Sequence, residues 1–379
     1  MSTIQIERVE SKKQLKRFIS VQYEIYKDDP AFIKPLMFER LDALTPGKNP
    51  YFEHADHIFY IAVQDGRDAG TISAQIDSLA QEKWGPNLGH FGLFEAANEK
   101  VAKALFAAAE NWLSQKGMKR MQGPWNLSPN EQCGMLADGF DTPPMIMMPH
   151  GRPDYTKWTQ DQGFEVVQRM FAYGYETQSE TPEKIKKIAA MADKSDRVTT
   201  RQFDMSRFDE ELALVLDIFN DAWENNWGFV PMTSGEIAHM AKSLKPIVKP
   251  YRTLIAELDG EAVAFIINLP DINSMIKDLD GKLFPFGVFK LIKRLFLTKN
   301  TDMRIRTPLM GMRQSIHGNR LGMAMLYNII EEAKQGVIEH GGVFSEFSWI
   351  LEDNKAMNNM LTRFGGEVYK TYHIYEKAL

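Results

Sequence analysis

The chain has 379 residues, of which 44% are hydrophobic and 25% charged, and its formal net charge is −5. These values describe a soluble globular protein long enough for two domains, and they give no electrostatic reason to expect a nucleic-acid partner. Cys133 is the single cysteine, which excludes an intramolecular disulfide and a thiolate metal cluster.

Membrane insertion and export are not indicated by the sequence. Residues 1–18 are charged throughout and lack the apolar core of a signal peptide, and no run of about 18 apolar residues is free of charge. A single cysteine also suits a reducing compartment. We therefore expect a cytoplasmic protein with no spanning helix and no bound metal.

The first half of the chain combines helical periodicity with a hairpin signal. In chain order the patterns predict a helix over 11–27, a loop rich in Pro and Gly up to Tyr51, strands over 58–63 and 69–76 joined by a turn at Asp65-Gly66, and a helix over 95–115.

A polar segment, 177–200, separates this half from a second one and is predicted to be a linker. The second half repeats the same succession of elements. We predict a helix near 208–224, a hairpin over 253–269, a helix near 321–339, a strand over 343–350, a helix over 354–363 and a closing strand over 367–375.

Direct residue matches support a duplication. In the segments 117–130 and 341–354, four residues of the first recur in the second at one constant offset: Gly117, Trp125, Leu127 and Asn130 match Gly341, Trp349, Leu351 and Asn354. Two further segment pairs follow in the same order, which indicates a duplicated domain rather than a solenoid. We predict domains at 1–176 and 201–379, each a mixed sheet with helices, so the fold class is α/β or α+β.

The segment 310–333 carries the densest functional signal. A strand-like run ends near Ile316, and Gly318, Gly322 and Ala324 then open a helix. Small residues at a helix start let an anionic group such as phosphate approach free N–H groups. The alternative is a tight turn in which the glycines only permit close packing.

The run 316–324 resembles the strand–loop–helix that binds the coenzyme A pyrophosphate in the GNAT superfamily of acyl-CoA N-acyltransferases. Asn354, followed by Ala356 and later by Gly365, resembles the second motif of that superfamily. The resemblance implies a tandem GNAT chain that uses acyl-CoA as co-substrate and has no permanently bound cofactor. It implies that donor-binding residues are Arg313, Gln314, Ile316, Gly318, Asn319, Arg320, Gly322, Ala324 and Asn354.

Two positions depart from the superfamily pattern. Asn319 stands where Gln or Arg is preferred, and Leu361 stands where a tyrosine often acts as the acid. The first half has no glycine loop and carries Glu95 and Glu99 at the corresponding place, where phosphate would be repelled. We therefore expect the second half to bind the donor.

The reaction needs an oxyanion site and a base. Backbone N–H groups near 314–316 resemble the superfamily's oxyanion donors. Glu346, on the strand facing this point, is the first candidate for the base, with His317 and Glu352 behind it and a water relay as an alternative. The alternative is that neither residue is catalytic: Glu346 is then a solvated or paired residue, and His317 is a turn residue.

Each half carries a long insertion. The one in the second half contains a basic amphipathic segment, 282–299, in which Lys290, Lys293 and Arg294 cluster beside bulky apolar residues. Such a segment favours peripheral binding to the inner face of an anionic membrane, and the alternative is a helix packed in the core.

The insertion of the first half, 132–153, concentrates Met145, Met147 and Met148, whose flexible thioethers suit an acyl-chain pocket or simply pack a long loop. The neighbouring run 123–134 and the run 222–233 resemble bacterial tandem GNAT proteins of the ceramide synthase type. This resemblance implies a sphingoid amine as acceptor, bound by Trp125, Asn130, Met147 and Trp227, although aromatic residues at such spacing also fill cores.

Taken together, the motifs predict an N-acyltransferase that joins a fatty acyl group from acyl-CoA to a lipid-like amine. The first alternative is a non-catalytic lipid- or membrane-binding protein on a GNAT scaffold. Transfer of aminoacyl groups from RNA is the second, and the acidic balance of the chain argues against it.

Overall fold

The computed structural model describes residues 3–297 and 302–379. Its strands are β1 Ile4–Arg8, β2 Ala55–Gln64, β3 Arg67–Asp77, β4 Leu88–Ala96, β5 Arg120–Gly123, β6 Trp125–Asn126, β7 Gln132–Cys133, β8 Met135–Asp138, β9 Glu165–Glu176, β10 Val198–Gln202, β11 Thr253–Leu258, β12 Glu261–Pro270, β13 Met303–Met312, β14 Gly342–Leu351 and β15 Glu367–Ala378.

The α-helices alternate with these strands. They are α1 Lys12–Ile25, α2 Met37–Ala43, α3 Ser78–Trp84, α4 Glu99–Gln115, α5 Asp154–Asp161, α6 Glu183–Asp193, α7 Phe208–Trp223, α8 Ser234–Leu244, α9 Ile272–Ile276, α10 Gly287–Ile292, α11 Arg320–Glu339 and α12 Lys355–Phe364. Short 3-10 turns at Pro50–Glu53, Met205–Arg207, Pro250–Arg252, Lys277–Leu279 and Gln314–Ile316 and a π-helical turn at Lys293–Leu297 complete the secondary structure.

One mixed sheet runs through both halves of the molecule. Its strand order is β1-β2-β3-β4-β5-β15-β9-β14-β13-β12-β11-β10, with β8 also paired to β15. The pairs β4·β5 and β13·β14 are parallel and the other pairs are antiparallel. The fold class is therefore the mixed α/β architecture that the sequence predicts.

The two halves exchange their last strands. Strand β15 pairs with β5 of the first half, and β9 pairs with β14 of the second. Strands β9 and β15 also pair with each other in the centre of the sheet. Each half therefore completes its sheet with a strand from the other.

Both predicted hairpins are confirmed at their turns. Asp65 and Gly66 have φ values of 49° and 79°, and Asp259 and Gly260 have 54° and 84°. Two successive positive φ angles are those of a type I′ turn, whose twist matches the flanking antiparallel strands. The Asp-Gly pairs therefore fix the β2–β3 and β11–β12 connections.

The segment 177–200 differs from the polar linker that we predicted. It contains helix α6, whose Ile185, Ala189 and Ala192 are buried against the core around α11. Its other side chains are mostly polar, so the helix exposes a hydrophilic face and gives only a weak apolar signal. Strand β10 then begins at Val198.

Helices cover both faces of the sheet. In the first half α4 packs on one hydrophobic cluster and α1 on another. In the second half α11, α12 and α6 share one cluster and α7 contributes to another. A further cluster at the centre contains Trp125, Met145, Met148 and Tyr372 from both halves. No helix within the described ranges is both long and apolar enough to span a bilayer.

Candidate active site

The site begins where two parallel strands of the second half diverge. Strands β13 and β14 pair from Met303 to Thr307. Beyond Thr307, β13 stays with β12 up to Met312, whereas β14 follows β9 up to Leu351. The divergence opens a cavity of about 620 Å³ between the strands.

The duplicated residues face this cavity. Trp125 and Asn130 line it from the first half, and Trp349 and Asn354 line it from the second. Both pairs match in the repeat, so the two copies meet at one site. Trp125 also stacks on Trp227, with ring centroids 6.0 Å apart.

Most of the cavity wall is apolar and deformable. Methionine and aromatic side chains from both halves form it: Trp125, Met147, Met170, Phe219, Trp223, Trp227, Phe229, Met232, Met240, Met310, Met312, Met323, Phe347, Trp349, Met357 and Met360. Unbranched thioethers adapt to irregular apolar ligands, and a volume in this range suits a lipid-sized molecule.

The predicted site residues divide into two groups. The cavity is lined by Trp125, Asn130, Met147, Trp227, Gln314, His317, Gly318 and Asn354. Outside the lining lie Arg313, Ile316, Asn319, Arg320, Gly322, Ala324 and Glu346, most of them in the loop and first turn beside the cavity.

Helix α11 starts in a tightly packed loop. Asn319 caps the helix, with its Oδ1 accepting a hydrogen bond from the N–H of Gly322 at 2.5 Å. A Cβ on Gly322 would lie 2.3 Å from the carbonyl oxygen of Ile316. Gly318 has φ 75°, and Arg320 is exposed at the first helical position. Glycine is therefore required where the loop meets the helix, and a cation stands beside it.

Two predicted donor contacts are already occupied. The guanidinium of Arg313 donates to Asp217 at 2.5 Å and to the carbonyl oxygen of Ala262 at 3.1 Å. The N–H of Gln314 donates to Asp221 Oδ2 at 2.7 Å, and that of Ile316 to the carbonyl of Arg313 at 3.2 Å. The N–H groups of Gln314 and Ile316 are therefore not free to serve as oxyanion donors, contrary to our expectation.

Asn354 caps the other helix at the cavity. Its Oδ1 accepts a hydrogen bond from the N–H of Met357 at 3.1 Å, which starts α12. Gly365 ends the helix in the left-handed conformation at φ 104°. Leu361, at the position where the superfamily often has a tyrosine, is buried in the core and carries no acid.

Glu346 is completely buried below the cavity. Ser348 Oγ donates to its Oε1 at 2.5 Å, the Tyr369 hydroxyl donates to its Oε2, and Arg306 lies 3.5 Å from Oε1. Arg306 is also buried and does line the cavity. The carboxylate thus serves as the counter-ion of a buried arginine, and both its oxygens are engaged.

His317 remains accessible to a ligand. It lines the cavity, and its Nε2 donates to the carbonyl oxygen of Met312 at 2.8 Å. A carbonyl only accepts, so Nε2 carries the proton and Nδ1 is the acceptor of the neutral ring.

The insertion of the first half is clamped onto the second half. Asp271 Oδ1 accepts from the N–H of Ile146 at 3.0 Å, and Asn273 Nδ2 donates to the carbonyl oxygens of Pro144 and Met145, each at 3.0 Å. Met147 follows with φ 60°, a conformation rare for a residue with a side chain. These contacts hold Met147 in the cavity wall.

Sequence reasoning missed a carboxylate in the wall. Glu131 lines the cavity from the loop between β6 and β7, and Asn49 Nδ2 donates to its Oε1 at 2.9 Å. Burial raises the pKa of Glu131 to about 7. The sequence feature that could have identified Glu131 was its position in the run 123–134, next to Asn130. A glutamate in a loop gives no sign by itself that it is buried.

No group of three potential metal ligands among His, Cys, Asp and Glu occurs in the part of the chain that the structure describes. Cys133 lines the cavity as a thiol whose pKa burial raises to about 12. The polar side chains that line the cavity are thus amides, hydroxyls, carboxylates, an imidazole, a thiol and the guanidinium of Arg306.

A duplicated unit with diverging parallel strands beside a glycine-containing helix start defines a tandem GNAT protein. A tandem GNAT protein from the clavulanic acid biosynthesis pathway matches with a TM-score of 0.59 and 10% identity, over 99% of this chain and 98% of that one. A GCN5-related N-acetyltransferase from Sphaerobacter thermophilus matches with a TM-score of 0.52 and 12% identity, over 99% and 95%. These likenesses establish the fold.

Two relatives are much closer in sequence. A bacterial ceramide synthase from Caulobacter vibrioides is 41% identical over 373 residues, 98% of this chain and 96% of that protein. Protein YghO of Escherichia coli K12 is 40% identical over 371 residues, 97% and 94% respectively. No family model matches the chain. The chain belongs to the same family as the Caulobacter ceramide synthase, has the tandem GNAT fold and is an N-acyltransferase, which confirms the resemblance seen in its motifs.

Proposed function

We propose that this enzyme transfers a fatty acyl group from coenzyme A to a lipid-like amine of the sphingoid type. The observation that carries the proposal is the cavity of about 620 Å³, whose wall is mostly apolar and rich in methionine and aromatic side chains. The cavity reaches Gln314 and Gly318 of the loop 313–319 before α11, which we call the donor loop. A small acetyl group and a polar amine would need no such wall. The name of the Caulobacter relative, bacterial ceramide synthase, agrees with an acceptor of this class.

The start of α11 is the proposed site of the donor pyrophosphate. Helix N-termini offer free N–H groups and a favourable dipole to anions. Gly322 permits the close packing of the loop, Gly318 adopts its left-handed conformation, and Arg320 supplies a positive charge at its edge. Arg313 and Gln314 contribute by holding the loop to α7 through Asp217 and Asp221.

The oxyanion donors that we propose lie on β13 itself. The N–H of Arg313 donates to the carbonyl of Val263 on the β12 side. Because backbone groups alternate along a strand, the N–H groups of Met310 and Met312 point the other way, toward the diverging β14. Both residues line the cavity, where a thioester carbonyl would meet these donors.

The acceptor half of the cavity is assigned to the first domain. Trp125 and Trp227 stack there, and Asn130 Nδ2 donates to the carbonyl oxygen of Val230 at 3.1 Å. The loop 226–230 of the second half is thereby fixed against the first half. Met147 and the aromatic pair give the amine an apolar channel.

A product assay tests the proposed function. Purified protein is incubated with acyl-CoAs of several chain lengths and with amines that include sphinganine, and amides are sought by mass spectrometry. We expect N-acyl sphinganine from long-chain acyl-CoA and little product from acetyl-CoA or short polar amines. Product with acetyl-CoA and a small amine alone would overturn the assignment of both substrates.

The insertion of the second half supports a membrane-bound substrate. Large apolar side chains stand exposed just before α10, on α10 and on the turn that follows it, together with a neighbour on α2: Phe38, Phe284, Phe286, Phe289, Ile292, Phe296 and Leu297. We call this set the aromatic patch. Residues 298 and 299 of the predicted segment lie outside the described residues.

The inward side of the same segment is apolar as well. Leu291 packs near Ile33 and Ile276, and Leu295 joins the cluster that contains Phe219 and Phe229 of the cavity wall. The segment is therefore anchored by leucines while phenylalanines face outward. The alternative in the sequence analysis, a helix packed in the core, would bury these phenylalanines, whereas they are exposed.

The charge near the aromatic patch is smaller than the sequence suggests. Lys290 Nζ lies 3.1 Å from Asp278, and Arg294 lies 2.6 Å from the same carboxylate. Lys293 is exposed. We therefore propose that the aromatic patch enters a bilayer surface chiefly through apolar burial, with a minor contribution from charge.

Vesicle co-sedimentation tests this surface. We expect binding to vesicles of phosphatidylglycerol and phosphatidylethanolamine, and a partition coefficient reduced about a hundredfold or more in Phe286→Ser/Phe289→Ser, since burying each phenylalanine contributes roughly 1.5–3 kcal/mol. The control Val167→Ser removes an apolar side chain that is 41% exposed elsewhere and should bind like the wild type. Equal binding of both variants would refute the proposed docking surface.

A further inference from the structure

Glu131 sits in a turn that both halves hold in place. Its N–H donates to the carbonyl oxygen of Ser128 at 3.2 Å, and Ser128 Oγ accepts from the N–H of Asn130 at 3.2 Å. Asn130 in turn donates to Val230 of the second half at 3.1 Å. The backbone that carries Glu131 is thus fixed at the junction of the two halves.

Only one of the two carboxylate oxygens of Glu131 accepts a hydrogen bond from a described residue. Asn49, which is 4% exposed, donates from Nδ2 to Oε1 at 2.9 Å and to the carbonyl oxygen of Ala43 at 3.0 Å. No described residue donates a hydrogen bond to the other oxygen, Oε2. A lining carboxylate with one fixed and one unoccupied oxygen is oriented to receive a cation from the cavity.

Other carboxylates near the cavity are less suited to this task. Asp353 also lines the cavity, but it is exposed to solvent and lies in the turn before α12, beside the donor loop's half of the site. Glu346 is fully buried, and its oxygens are taken by Ser348, Tyr369 and Arg306. A proton acceptor on the acceptor side is therefore supplied by the first half.

We propose that Glu131 is the catalytic residue that binds the ammonium group of the acceptor amine and takes its proton. The inference rests on the amine acceptor and acyl-CoA donor proposed above. It gives the first half, which lacks a donor loop, a chemical task in the reaction.

Proton transfer to Glu131 precedes formation of the amide bond. The ammonium transfers one proton to the Glu131 carboxylate, and the freed nitrogen lone pair forms the C–N bond to the thioester carbonyl carbon. The resulting oxyanion collapses, the C–S bond breaks and its electron pair leaves on sulfur. The second proton of the nitrogen goes to the thiolate, so amide and free thiol form, and Glu131 returns its proton to solvent.

The surroundings of Glu131 suit a group that exchanges protons near neutral pH. Burial raises its pKa to about 7, while the Asn49 hydrogen bond and the charge of Arg40 oppose this and the carboxylates of Glu39 and Glu236 add to it. A base is most effective when its pKa lies near the working pH. An arriving ammonium would stabilise the charged carboxylate further.

Glu131→Gln is the decisive variant, because the amide keeps the shape and can still accept from Asn49. With palmitoyl-CoA and sphinganine at pH 7 we expect kcat/KM for sphinganine to fall by about 10²–10⁴-fold, with the Kd for palmitoyl-CoA unchanged. The deficit should shrink as the pH approaches the pKa of the amine, because solvent then removes the proton. Glu131→Asp should restore part of the activity. The control Glu82→Gln removes an exposed carboxylate of α3 that lies outside the cavity and does not act on the pKa of Glu131, and it should retain wild-type activity at pH 7.

Equilibrium binding gives a second readout that needs no turnover. Sphinganine should bind Glu131→Gln about tenfold or more weakly than the wild type, because a charge-assisted hydrogen bond is lost, whereas N-acetyl sphinganine, which has no ammonium, should bind both equally. Full activity of Glu131→Gln, or a deficit that is constant with pH, overturns the role of Glu131 and leaves the proposed function standing. Weaker sphinganine binding without any amide from the wild type supports the ammonium site and overturns the proposed reaction.

Discussion

Glu346 and Glu131 differ in what surrounds their carboxylates, and this difference separates a structural role from a chemical one. Glu346 neutralises Arg306 inside the protein, and Arg306 also donates to the carbonyl oxygen of Ile146 at 3.0 Å and lies with its Cζ 4.7 Å from the ring centre of Trp349. The ion pair therefore joins β13, β14 and the insertion of the first half at the floor of the cavity.

Glu346→Gln should act through stability rather than through proton transfer. Removing one partner of a buried ion pair typically costs about 3–5 kcal/mol, because the other charge is left uncompensated. We expect a lower melting temperature, and in the folded fraction a pH profile of kcat/KM with the same midpoint as the wild type. A profile that loses its acidic limb in Glu346→Gln would instead identify Glu346 as the base.

Gly322 tests whether the donor loop needs its narrow packing. A Cβ there would approach the Ile316 carbonyl oxygen to 2.3 Å, and overpacking of this kind costs about 1–3 kcal/mol. Gly322→Ala should therefore weaken palmitoyl-CoA binding about tenfold or more, measured by titration calorimetry.

Gly336→Ala is the matched control for Gly322→Ala. Gly336 lies in the same helix, and its Cβ would approach the carbonyl oxygen of Tyr251 to 2.1 Å, away from the cavity. We expect a similar drop in melting temperature with unchanged affinity. Equal loss of affinity in both variants would show that helix stability, and not the loop, governs binding.

The sequence identified side chains that meet in the cavity through its repeat. Trp125 and Asn130, which lie in the run 123–134, match Trp349 and Asn354 of the second half, and all four line one cavity. Glu131 could not be found in this way, because it is not one of the residues that match between the two halves. Its burial depends on Asn49 and on the loop around Val230, which are distant in sequence.

At the scale of elements, the 3-10 turn Pro50–Glu53 of the first half is tied to α8 of the second. His54, next to the turn, bonds Asp77 through Nδ1 at 3.0 Å and faces Glu236 through Nε2 at 3.4 Å. Glu236 also completes the capping box of α8 with Thr233. One imidazolium therefore connects β3, the turn and α8 across the junction.

This contact predicts a pH dependence of stability. Burial opposes the charge, but the hydrogen bond to Asp77 and the nearby carboxylate of Glu236 raise the pKa of His54 to about 9, above the value of about 6.5 for an unfolded chain. Because the folded pKa is higher, the stabilisation is complete below pH ~6.5 and is lost as the pH rises through about 9.

Melting temperatures of the wild type and His54→Gln across pH 6–10 measure the effect. The difference between them should be largest at the acidic end and should diminish toward pH 10. His57→Gln serves as the control, since burial lowers the pKa of His57 and its charged form therefore does not stabilise the fold as that of His54 does. A difference that stays constant from pH 6 to pH 10 would show that the His54 contact is not one of charge.

Local chemistry determined which elements could be predicted. The Asp-Gly pairs encode their own turns, and both hairpins form where these pairs stand. Helix α6 was missed because its apolar face consists of Ile185 with two small alanines, too little to stand out in a polar segment. An element that is stabilised mainly by its packing partner, and shows little apolar periodicity of its own, could not be predicted from the sequence.

At the scale of the whole molecule, no local pattern encodes the exchange of β9 and β15. Both strands close their own repeat in sequence, and both have patterns that would fit either half. The pairing is decided by register with distant partners: β9 pairs with β14 from Phe344 to Leu351, and β15 pairs with β5 from Arg120 to Gly123. Fold class could therefore be predicted, whereas the way the two halves are joined could not.

The strand exchange predicts that neither half is stable alone. A fragment 1–176 would lack β15 and leave the edges of β5 and β9 unpaired, and a fragment 177–379 would lack β9 beside β14. Unpaired edges of long apolar strands favour aggregation. We expect each fragment expressed alone to be insoluble or unfolded by circular dichroism.

Co-expression should rescue both fragments, because each supplies the strand that the other lacks. The cleavage point lies next to the end of β9 at Glu176, on the polar stretch before α6, so it removes few contacts. We expect the two fragments to co-purify as a one-to-one complex that binds palmitoyl-CoA and melts in a single transition. A fragment 177–379 that folds and binds palmitoyl-CoA alone would show that β14 does not need β9, and the two halves would then be independent units that merely touch.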